Sequence, residues 1–253
     1  MNHLDRILKV KKEEIDLLPK HSSVNRLFPK KSLLKSLRSK KPSIIAEIKF
    51  KSPSEGWILK NGDPLQIAKD YVSAGADAIS VLTDKRFFGG ELKFIEEIKR
   101  IIDIPVLQKD FFISKRQILQ GFNKGADSFL LIIDAVSKEK AKNLIQFSEQ
   151  INTEALAEFH SFDHIELINE LKPKIIGVNC RDLKSMKTDL NYFQKVYDFL
   201  PINSVKVAES GFTTSEQIKE IYNLGFDAFL IGTSLMRSGS PGKKLEEIIR
   251  GLN

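Results

Sequence analysis

Short apolar runs alternate with amphipathic segments along most of the chain. The first run, 44–49, is rich in β-branched residues and predicts a buried strand that ends where Ser52-Pro53-Ser54 starts a loop. From there the pattern predicts eight strand-then-helix units with a mean period of about 25 residues. The predicted strands are 44–49, 78–82, 105–109, 128–133, 154–158, 174–179, 205–208 and 228–231.

The predicted helices begin at residues that often cap a helix. Asp63 precedes Pro64, and Ser114, Ser137 and Thr214 each precede an amphipathic run. Three helices are followed by connectors in which a glycine stands two residues before an aspartate, a pattern that favours a turn into the next strand. These connectors are Gly75-Ala76-Asp77, Gly125-Ala126-Asp127 and Gly225-Phe226-Asp227. We expect them to be structural and to lie at the end of the fold away from the chemistry.

Apolar strands that alternate with amphipathic helices predict a parallel sheet that is covered on both faces. Eight such units in about 210 residues predict a closed (β/α)8 TIM barrel over residues 44–253. An open doubly wound sheet is the alternative fold. No G-x-G-x-x-G motif follows the first strand, and this weakens the alternative.

Residues 1–43 precede the first strand and differ from the rest of the chain in charge. Leu4, Ile7 and Ile15 share one helical face, and a second short helix is predicted over 31–39, so we expect an N-terminal helical extension. The extension carries twelve Lys and Arg against four Asp and Glu, whereas the net charge of the whole chain is +7. Its basic residues lack interleaved aromatic residues. The pattern therefore favours a solvated helix face or the steering of small anions over nucleic-acid binding.

The composition excludes several classes of protein. No apolar run reaches the roughly 18 residues of a membrane span, and the charged start of the chain lacks the apolar core of a signal peptide. The single cysteine, Cys180, cannot form an internal disulfide and fits a reducing compartment. The histidines, His3, His21, His160 and His164, lack metal-ligand spacing, and the last two are typical of a surface helix. We expect a cytoplasmic protein that binds no metal.

In a barrel of this kind, function lies at the carboxyl ends of the strands. Glu47 and Lys49 point to the same face of the first predicted strand, and burying both is costly unless they pair. The two are either a structural ion pair or a catalytic pair. Further polar residues end other strands, and their convergence on one rim favours a catalytic site with shifted pKa values. These residues are Lys109, Glu158, Asn179, Arg181 and Glu209.

Two stretches with glycine follow the last two predicted strands. Ser210-Gly211 follows the seventh strand and Gly232-Thr233-Ser234 follows the eighth. Small residues let backbone N–H groups approach an anion, and many barrels bind phosphate in these two loops. The pair of stretches favours a phosphorylated substrate.

The strand ends also carry a resemblance to a known family. Motifs in seven of the eight barrel units, in order along nearly the whole chain, are similar to indole-3-glycerol-phosphate synthase of tryptophan biosynthesis. The opening Leu4-Asp5-Arg6-Ile7-Leu8 resembles the N-terminal helix of that family. The other motifs are Glu47-Ile48-Lys49 with Ser52-Pro53-Ser54, Ser80-Val81-Leu82-Thr83-Asp84, Lys109-Asp110-Phe111, Glu158-Phe159-His160, Gly177-Val178-Asn179-Cys180-Arg181-Asp182-Leu183, Glu209-Ser210-Gly211 and Ile231-Gly232-Thr233-Ser234-Leu235-Met236.

The resemblance implies a cofactor-free reaction on a small anionic substrate, a carboxyphenylamino-deoxyribulose phosphate. The aromatic ring closes onto the ketone carbon, carbon dioxide leaves, and water is then eliminated to form the indole. Lys109 is the family's candidate for the general acid that protonates the carbonyl oxygen. Glu158 and Lys49 suit the elimination of water, with Glu47 tuning Lys49, and the resemblance leaves open which lysine acts at which step.

The resemblance also implies which residues bind the substrate. Asn179 and Glu209 match positions that orient its hydroxyl groups and the developing indole. The residues that could meet the carboxylate or neighbouring groups are Lys49, Ser52 and Arg181, those of the phosphate cradle are Ser210, Gly211, Gly232 and Ser234, and those of an apolar wall are Phe88, Phe111 and Leu131. The extension, residues 1–43, would lie across the barrel mouth, so we expect it to serve binding more than folding.

The sequence departs from the family pattern at three positions outside the catalytic matches. Cys180 stands where another Asn is usual, Phe159 replaces a usual Val, and Ser161 replaces an acidic or amide residue. We expect Cys180 to point away from the barrel interior.

Two other functions remain as alternatives. Phosphoribosylanthranilate isomerase, another phosphosugar barrel, would need a Cys and an Asp where this chain offers Glu47 and Lys49. A non-catalytic barrel that binds nucleic acid would leave the charges at the strand ends unexplained. We expect no nucleic-acid or membrane partner, and a monomer rather than an oligomer.

Overall fold

The computed structural model describes residues 3–40, 42–182 and 187–252. Its centre is a closed barrel of eight parallel strands, which confirms the predicted (β/α)8 fold. Each strand pairs with its neighbours in sequence, and the last strand pairs with the first, with Ser43 opposite Ala228. The strands are β1 (Ser43–Ile48), β2 (Ala78–Leu82), β3 (Val106–Lys109), β4 (Ser128–Ile132), β5 (Glu154–Phe159), β6 (Ile175–Asn179), β7 (Val205–Glu209) and β8 (Ala228–Ile231).

Helices connect the strands and surround the barrel. The side chains of Asp63, Ser114, Ser137 and Thr214 each accept a backbone N–H at the start of a helix, as the sequence predicted. The helices are α1 (His3–Asp16), α2 (Leu33–Ser39), α3 (Pro64–Ala74), α4 (Lys85–Phe88), α5 (Lys93–Lys99), α6 (Lys115–Asn123), α7 (Lys138–Gln150), α8 (Ile165–Leu171), α9 (Asn191–Tyr197), α10 (Ser215–Leu224), α11 (Thr233–Arg237) and α12 (Pro241–Leu252).

The alternation of side chains along β1 divides the core into two layers. Ile44, Ala46 and Ile48 are buried in the outer layer, between the barrel and the helices. Ile45 belongs to the inner cluster, and Glu47 faces a pocket at the carboxyl end of the barrel. Because both faces of each strand are buried, a charged side chain on an inward position needs a partner.

Three aspartates close the amino-terminal end of the barrel. Asp77 accepts the backbone N–H of Ile44 at 2.8 Å, Asp127 accepts that of Val106 at 2.9 Å, and Asp227 makes the same contact to β7. The glycine two residues before each aspartate has a φ of +98°, +106° and +117° respectively, a region that glycine adopts without steric cost. These contacts confirm that the three connectors are structural and lie at the end opposite the pocket.

The two helices of the extension lie at opposite ends of the barrel. α2 covers the amino-terminal end, where Leu33 and Leu37 are fully buried in one cluster with inward-facing strand residues. The hydroxyl of Ser36 donates to the carbonyl of Asp77 at 2.6 Å. The expectation that the whole of 1–43 covers the mouth is therefore wrong for α2, because its two leucines fill the opposite end of the barrel interior.

α1 lies beside the loops that follow β2 and β3, at the carboxyl end. Lys11 forms ion pairs with Asp84 and Asp110, each at 2.8 Å, and only 2% of this lysine is exposed. It is therefore buried, whereas the sequence pattern favoured a solvated helix face. Between the two helices, Arg26 anchors the extension to Asp127 at 2.6 Å.

Some short elements left no periodic signal in the sequence. A hairpin of Lys51–Ser52 with Gly56–Trp57 follows β1, and α4 and α11 are only four and five residues long. His160 and His164 do not share a surface helix, because His160 follows β5 and His164 ends a 3-10 turn. No helix of the described residues is long and apolar enough to cross a membrane.

Deletion of one or both helices of the extension should have different effects on folding. Removal of residues 1–21 takes away α1 alone, whereas removal of residues 1–40 also exposes the amino-terminal end of the barrel. Because Leu33 and Leu37 are fully buried, the longer deletion should lower the free energy of unfolding by about 4 kcal/mol or more beyond the shorter one. Urea unfolding followed by circular dichroism measures the difference against the full chain. Equal stability of the two truncated chains would contradict this role of α2.

Candidate active site

A pocket opens at the carboxyl ends of the barrel strands. The predicted residues that line it are Glu47, Lys49, Ser52, Phe88, Lys109, Phe111, Glu158, Asn179, Arg181, Glu209 and Ser210. Gly211, Gly232 and Ser234 line an adjoining cavity, which we call the anion cavity and which shares Lys49 and Arg181 with the pocket. The barrel thus brings residues from distant parts of the chain to one rim, as expected for this fold.

Lys109 lies at the centre of the pocket, between two carboxylates. Its Nζ is 2.9 Å from Oε2 of Glu158 and also forms an ion pair with Glu209. The Nδ2 of Asn179 donates to the other oxygen of Glu158 at 3.2 Å. Each of these four residues stands at or next to the last position of its strand and points inward, so strand alternation alone brings them together.

Burial and neighbouring charges shift the pKa values of these groups in different directions. Burial alone lowers the pKa of Lys109, but the carboxylates of Glu158 and Glu209 outweigh it and raise this pKa above its ordinary value. Burial raises the pKa of Glu209 well above its usual range, and Glu158 adds to the effect. Burial also acts to raise the pKa of Glu158, but Lys109 together with hydrogen bonds from Glu209 and Asn179 outweighs it and brings this pKa below its usual range. The site therefore combines an ammonium group, an ionised carboxylate and a carboxyl group that keeps its proton to higher pH.

Glu47 and Lys49 form a second ion pair beside this centre. Oε1 of Glu47 is 3.1 Å from Nζ of Lys49, and the hydroxyl of Ser80 donates to Oε2 of Glu47 at 3.4 Å. Gly232 leaves space for Glu47, because a Cβ at that residue would lie 2.5 Å from Oε1. Both charged groups line the pocket, where they are available to a bound molecule.

β6 sets the positions of both Asn179 and Glu209. A Cβ on Gly177 would lie 2.2 Å from Oε1 of Glu209, so only glycine leaves room for this carboxyl group. The backbone N–H of Arg181 donates to Oδ1 of Asn179 at 3.0 Å, which fixes the orientation of the amide. Leu183, the last residue of the sequence motif on this strand, lies outside the described residues.

The anion cavity is built from the loops after β7 and β8. Ser210 and Gly211 both have a positive φ, +74° and +85°, so the chain turns sharply where β7 ends. The hydroxyl of Ser210 donates to Oδ1 of Asn179 at 2.9 Å, and that of Ser234 donates to the carbonyl of Phe212 at 2.7 Å. Because these two hydroxyl protons are used within the protein, the donors that the cavity offers an anion include backbone N–H groups and the cationic side chains of Lys49, Arg181 and Arg237.

The apolar side of the pocket lies at β2 to β4, across from the anion cavity. The rings of Phe88 and Phe111 have centroids 5.9 Å apart. Leu131 requires a correction, because it packs outward against the helices, whereas Leu130 and Ile132 line the pocket. The physical reason is the alternation of side chains in β4, which places residue 131 between two inward-facing positions.

Cys180 points away from the pocket and packs in the outer core, as the strand alternation predicted. Its Sγ donates to the carbonyl of Ser210 at 3.4 Å. Burial raises the pKa of the Cys180 thiol to about 12. The residue that replaces the usual Asn therefore leaves the lining of the pocket unchanged.

Several residues of the two cavities escaped the sequence reasoning. Leu82 and Leu230 add to the apolar lining of the pocket, and the ion pair of Arg237 with Glu55, at 2.8 Å, lines the anion cavity. The inward register of β2 and β8 could have identified the two leucines. Arg237 and Glu55 come from a short helix and a short hairpin, which carry no periodic signal.

The histidines near the pocket bond to neighbouring protein groups. Nδ1 of His160 is 2.9 Å from the carbonyl oxygen of Asn179, and Nε2 of His164 is 3.4 Å from Oδ1 of Asp134. Within residues 3–40, 42–182 and 187–252, no group of three or more His, Cys, Asp or Glu side chains is arranged to hold a metal ion.

Comparisons with known proteins decide the family. The sequence model of indole-3-glycerol phosphate synthase matches residues 4–248. The chain belongs to this family. The indole-3-glycerol phosphate synthase of Bacteroides thetaiotaomicron is 36% identical over 256 residues, which cover 98% of this chain and 98% of that relative. The indole-3-glycerol phosphate synthase of Geobacillus sp. strain WCH70 is 40% identical over 250 residues, which cover 98% of this chain and 96% of that relative.

The indole-3-glycerol phosphate synthase family consists of decarboxylating, ring-closing lyases of tryptophan biosynthesis. Solved structures of other enzymes share its fold. The 3-hexulose-6-phosphate synthase of Salmonella typhimurium has a TM-score of 0.65 and 14% identity, and the match covers 83% of this chain and 98% of that one. KGPDC from Streptococcus mutans has a TM-score of 0.62 and 12% identity, and the match covers 84% of this chain and 98% of that one. At these identities the similarity shows the fold alone.

The raised pKa of Cys180 predicts that its thiol reacts slowly with thiol reagents in the native protein. Because the thiolate is the nucleophile, Ellman's reagent at pH 8 should modify Cys180 far more slowly in the folded chain than in urea. The unfolded thiol ionises above about pH 8.5 while the folded thiol does not, so the free energy of unfolding should fall as the pH rises past that value. Cys180→Ala, which lacks the thiol, is the control for this fall. A native reaction as fast as that in urea would contradict the burial of the thiol.

Proposed function

We propose that this member of the indole-3-glycerol phosphate synthase family converts 1-(2-carboxyphenylamino)-1-deoxyribulose 5-phosphate into indole-3-glycerol phosphate in this pocket. The observation that carries the proposal is the position of Lys109, whose ammonium group touches Glu158 and Glu209 and lines the pocket. Ring closure needs a proton donor at a carbonyl oxygen, and dehydration needs a base beside an acid. Groups that line this one pocket meet both requirements.

In this proposal Lys109 is the general acid of ring closure. The ring carbon that bears the carboxylate attacks the ketone carbon and forms the new carbon–carbon bond. The electrons of the carbonyl bond move to its oxygen, which takes a proton from Lys109. The raised pKa keeps Lys109 protonated at neutral pH, so the proton is available. Carbon dioxide then leaves, and the electrons of the broken bond restore the aromatic ring.

Glu158 and Lys49 act in the elimination of water. Glu158 is ionised because of its lowered pKa, and it removes a proton from the new ring while Lys49 donates a proton to the departing hydroxyl group. Glu47, 3.1 Å from Lys49, forms an ion pair with that lysine and holds it at the pocket. Asn179 holds Glu158 by its hydrogen bond and meets the substrate hydroxyl groups.

The two sides of the site match the two ends of this substrate. Phe88 and Phe111 receive the aromatic ring together with Leu130 and Ile132, which take the place expected for Leu131. Ser52 and Arg181 bind the substrate carboxylate, and Glu209 contacts the developing indole. The substrate phosphate binds in a cradle formed by Ser210, Gly211, Gly232 and Ser234.

The same proposal covers the partners of the chain, which are a small anionic substrate and neither nucleic acid nor membrane. Two basic residues of the extension are engaged within the protein, since Arg26 pairs with Asp127 and Lys31 pairs with Asp103. We also propose that the chain is a monomer. The free thiol of Cys180 suits the cytoplasm. The reaction uses acid–base groups of the protein, so we propose that it needs no cofactor.

The proposal is tested by incubating the purified chain with the carboxyphenylamino-deoxyribulose phosphate. Indole fluorescence should rise as carbon dioxide is released in equal amount. Fluorescence without carbon dioxide, or no conversion at all, would contradict the proposed reaction.

In the same assay, Lys109→Gln should lower kcat by at least about 100-fold with a modest change in KM, because the variant loses the general acid. Lys93→Gln removes an exposed lysine on α5 and is the matched control. A Lys109→Gln variant with a kcat near that of the control would remove Lys109 from the mechanism.

A negative charge introduced at residue 234 tests the position of the phosphate cradle. Ser234→Asp places a carboxylate beside the substrate phosphate, so KM should rise strongly and inorganic phosphate should inhibit less. Ser234→Ala removes only the hydrogen bond to Phe212 and should change KM much less. An unchanged KM in Ser234→Asp would mean that the phosphate binds elsewhere.

A further inference from the structure

Lys11 is a buried cation that the proposed chemistry does not use. Lys11 lies on α1, which precedes all the strands that form the pocket. Only 2% of this lysine is exposed. Its Nζ lies 2.8 Å from Oδ2 of Asp84, 2.8 Å from Oδ1 of Asp110 and 2.8 Å from Oε2 of Glu14. Lysine is almost never buried to this extent unless a paired carboxylate requires it. The other contacts of Asp84 and Asp110 therefore indicate the role of this lysine.

Asp84 fixes the start of α4. Its Oδ1 accepts the backbone N–H of Phe87 at 2.6 Å and that of Phe88 at 3.3 Å, while its Oδ2 faces Lys11. Asp84 is fully buried, so its charge depends on nearby cations. The same carboxylate thus binds Lys11 and places the backbone of Phe88, a residue of the apolar wall.

Asp110 does the same for the other half of the apolar wall. It directly follows Lys109, and its Oδ1 accepts the backbone N–H of Phe111 at 2.8 Å. Its Oδ2 accepts the hydroxyl of Thr83 at 2.6 Å, which ties the loop after β3 to the loop after β2. Lys11 contacts the oxygen that holds Phe111, so one ammonium group spans both loops.

The apolar face of α1 extends this arrangement. Ile7 is buried in the same apolar cluster as Phe111, and Leu4, Leu8 and Phe88 are partly buried residues that pack against that cluster. The ion pairs of Lys11 are one helical turn further along α1. The apolar face of the helix therefore belongs to the same cluster as the wall, and its Lys11 is paired with an aspartate in each of the two loops that carry the wall.

We propose that Lys11 is a positioning residue that sets the apolar wall for the aromatic half of the substrate. The proposal rests on the proposed function for the identity of that substrate. Without the ammonium group of Lys11, the carboxylates of Asp84 and Asp110 would lie buried near each other and lack their shared cation, which is strongly unfavourable. Repulsion between the two carboxylates would then separate the two loops, and this would move Phe88 and Phe111.

The position of Lys11 predicts a selective defect. The apolar wall belongs to the loops after β2 and β3, whereas the anion cavity belongs to the loops after β7 and β8. Loss of Lys11 should therefore weaken the binding of an aromatic ligand and leave the binding of inorganic phosphate unchanged. A residue that serves only general stability would affect both ligands together.

The experiment compares Lys11→Met, which keeps the length of the side chain, with Lys12→Met, which changes the exposed neighbour on α1. Anthranilate represents the aromatic half of the substrate and inorganic phosphate the other end, and calorimetry gives both dissociation constants for each full-length variant. In Lys11→Met the anthranilate constant should rise by about tenfold. The phosphate constant should stay within error of the Lys12→Met value, and kcat/KM should fall by about 10- to 100-fold.

A charge-balanced variant provides the rescue. Lys11→Met with Asp84→Asn and Asp110→Asn removes the ammonium group and both carboxylates, while each asparagine keeps an oxygen for the backbone N–H groups. This triple variant should regain most of the anthranilate affinity. If Lys11→Met does not fold, the triple variant decides alone, and weak anthranilate binding or failure to fold then overturns the proposal.

Other results also overturn the role of Lys11. An anthranilate constant in folded Lys11→Met equal to that of Lys12→Met would do so, as would an equal loss of phosphate affinity. If the wild-type chain does not convert the substrate, the proposed function fails. The two binding titrations would still decide whether Lys11 positions the apolar wall.

Discussion

The arrangement of the carboxyl end of the barrel depends on one interaction, in which the ammonium group of Lys109 lies between two buried carboxyl groups. Lys109 offsets the cost of burying Glu158 and Glu209, and removal of the cation would leave these two acids buried without it. The two acids are also unequal. Because they lie so close, one loses its proton readily and the other retains it, as for other pairs of carboxyl groups that share a site.

The barrel provides the space and the supports that this arrangement needs. Gly177 and Gly232 leave room for Glu209 and Glu47, where any side chain would collide with a carboxyl oxygen. Asn179 then links the centre to the loop after β7, because its amide contacts both Glu158 and Ser210. The amino-terminal end, closed by aspartate contacts and by α2, carries the packing that leaves the other end free for chemistry.

Much of this could be predicted from sequence, for physical reasons. Period-two and helical patterns are strong in buried parallel strands, so the strand ends and most inward-facing residues followed directly. The prediction that Leu131 lines the pocket was wrong because a continuous apolar run does not show which alternate residues face inward. The burial of Lys11 could not be predicted, because its partners Asp84 and Asp110 are more than 70 residues away along the chain. Contacts of that kind depend on how the extension packs, which no local pattern contains.

The central claim is that the two carboxyl groups around Lys109 titrate apart. Carbon-13 NMR of side-chain carboxyl groups in glutamate-labelled protein measures this directly, with Glu158→Gln and Glu209→Gln to assign the signals. The signal of Glu158 should titrate below the usual glutamate pKa of about 4.3, while that of Glu209 should titrate well above it. Titration of both groups together near the usual value, or in the reverse order, would contradict the account.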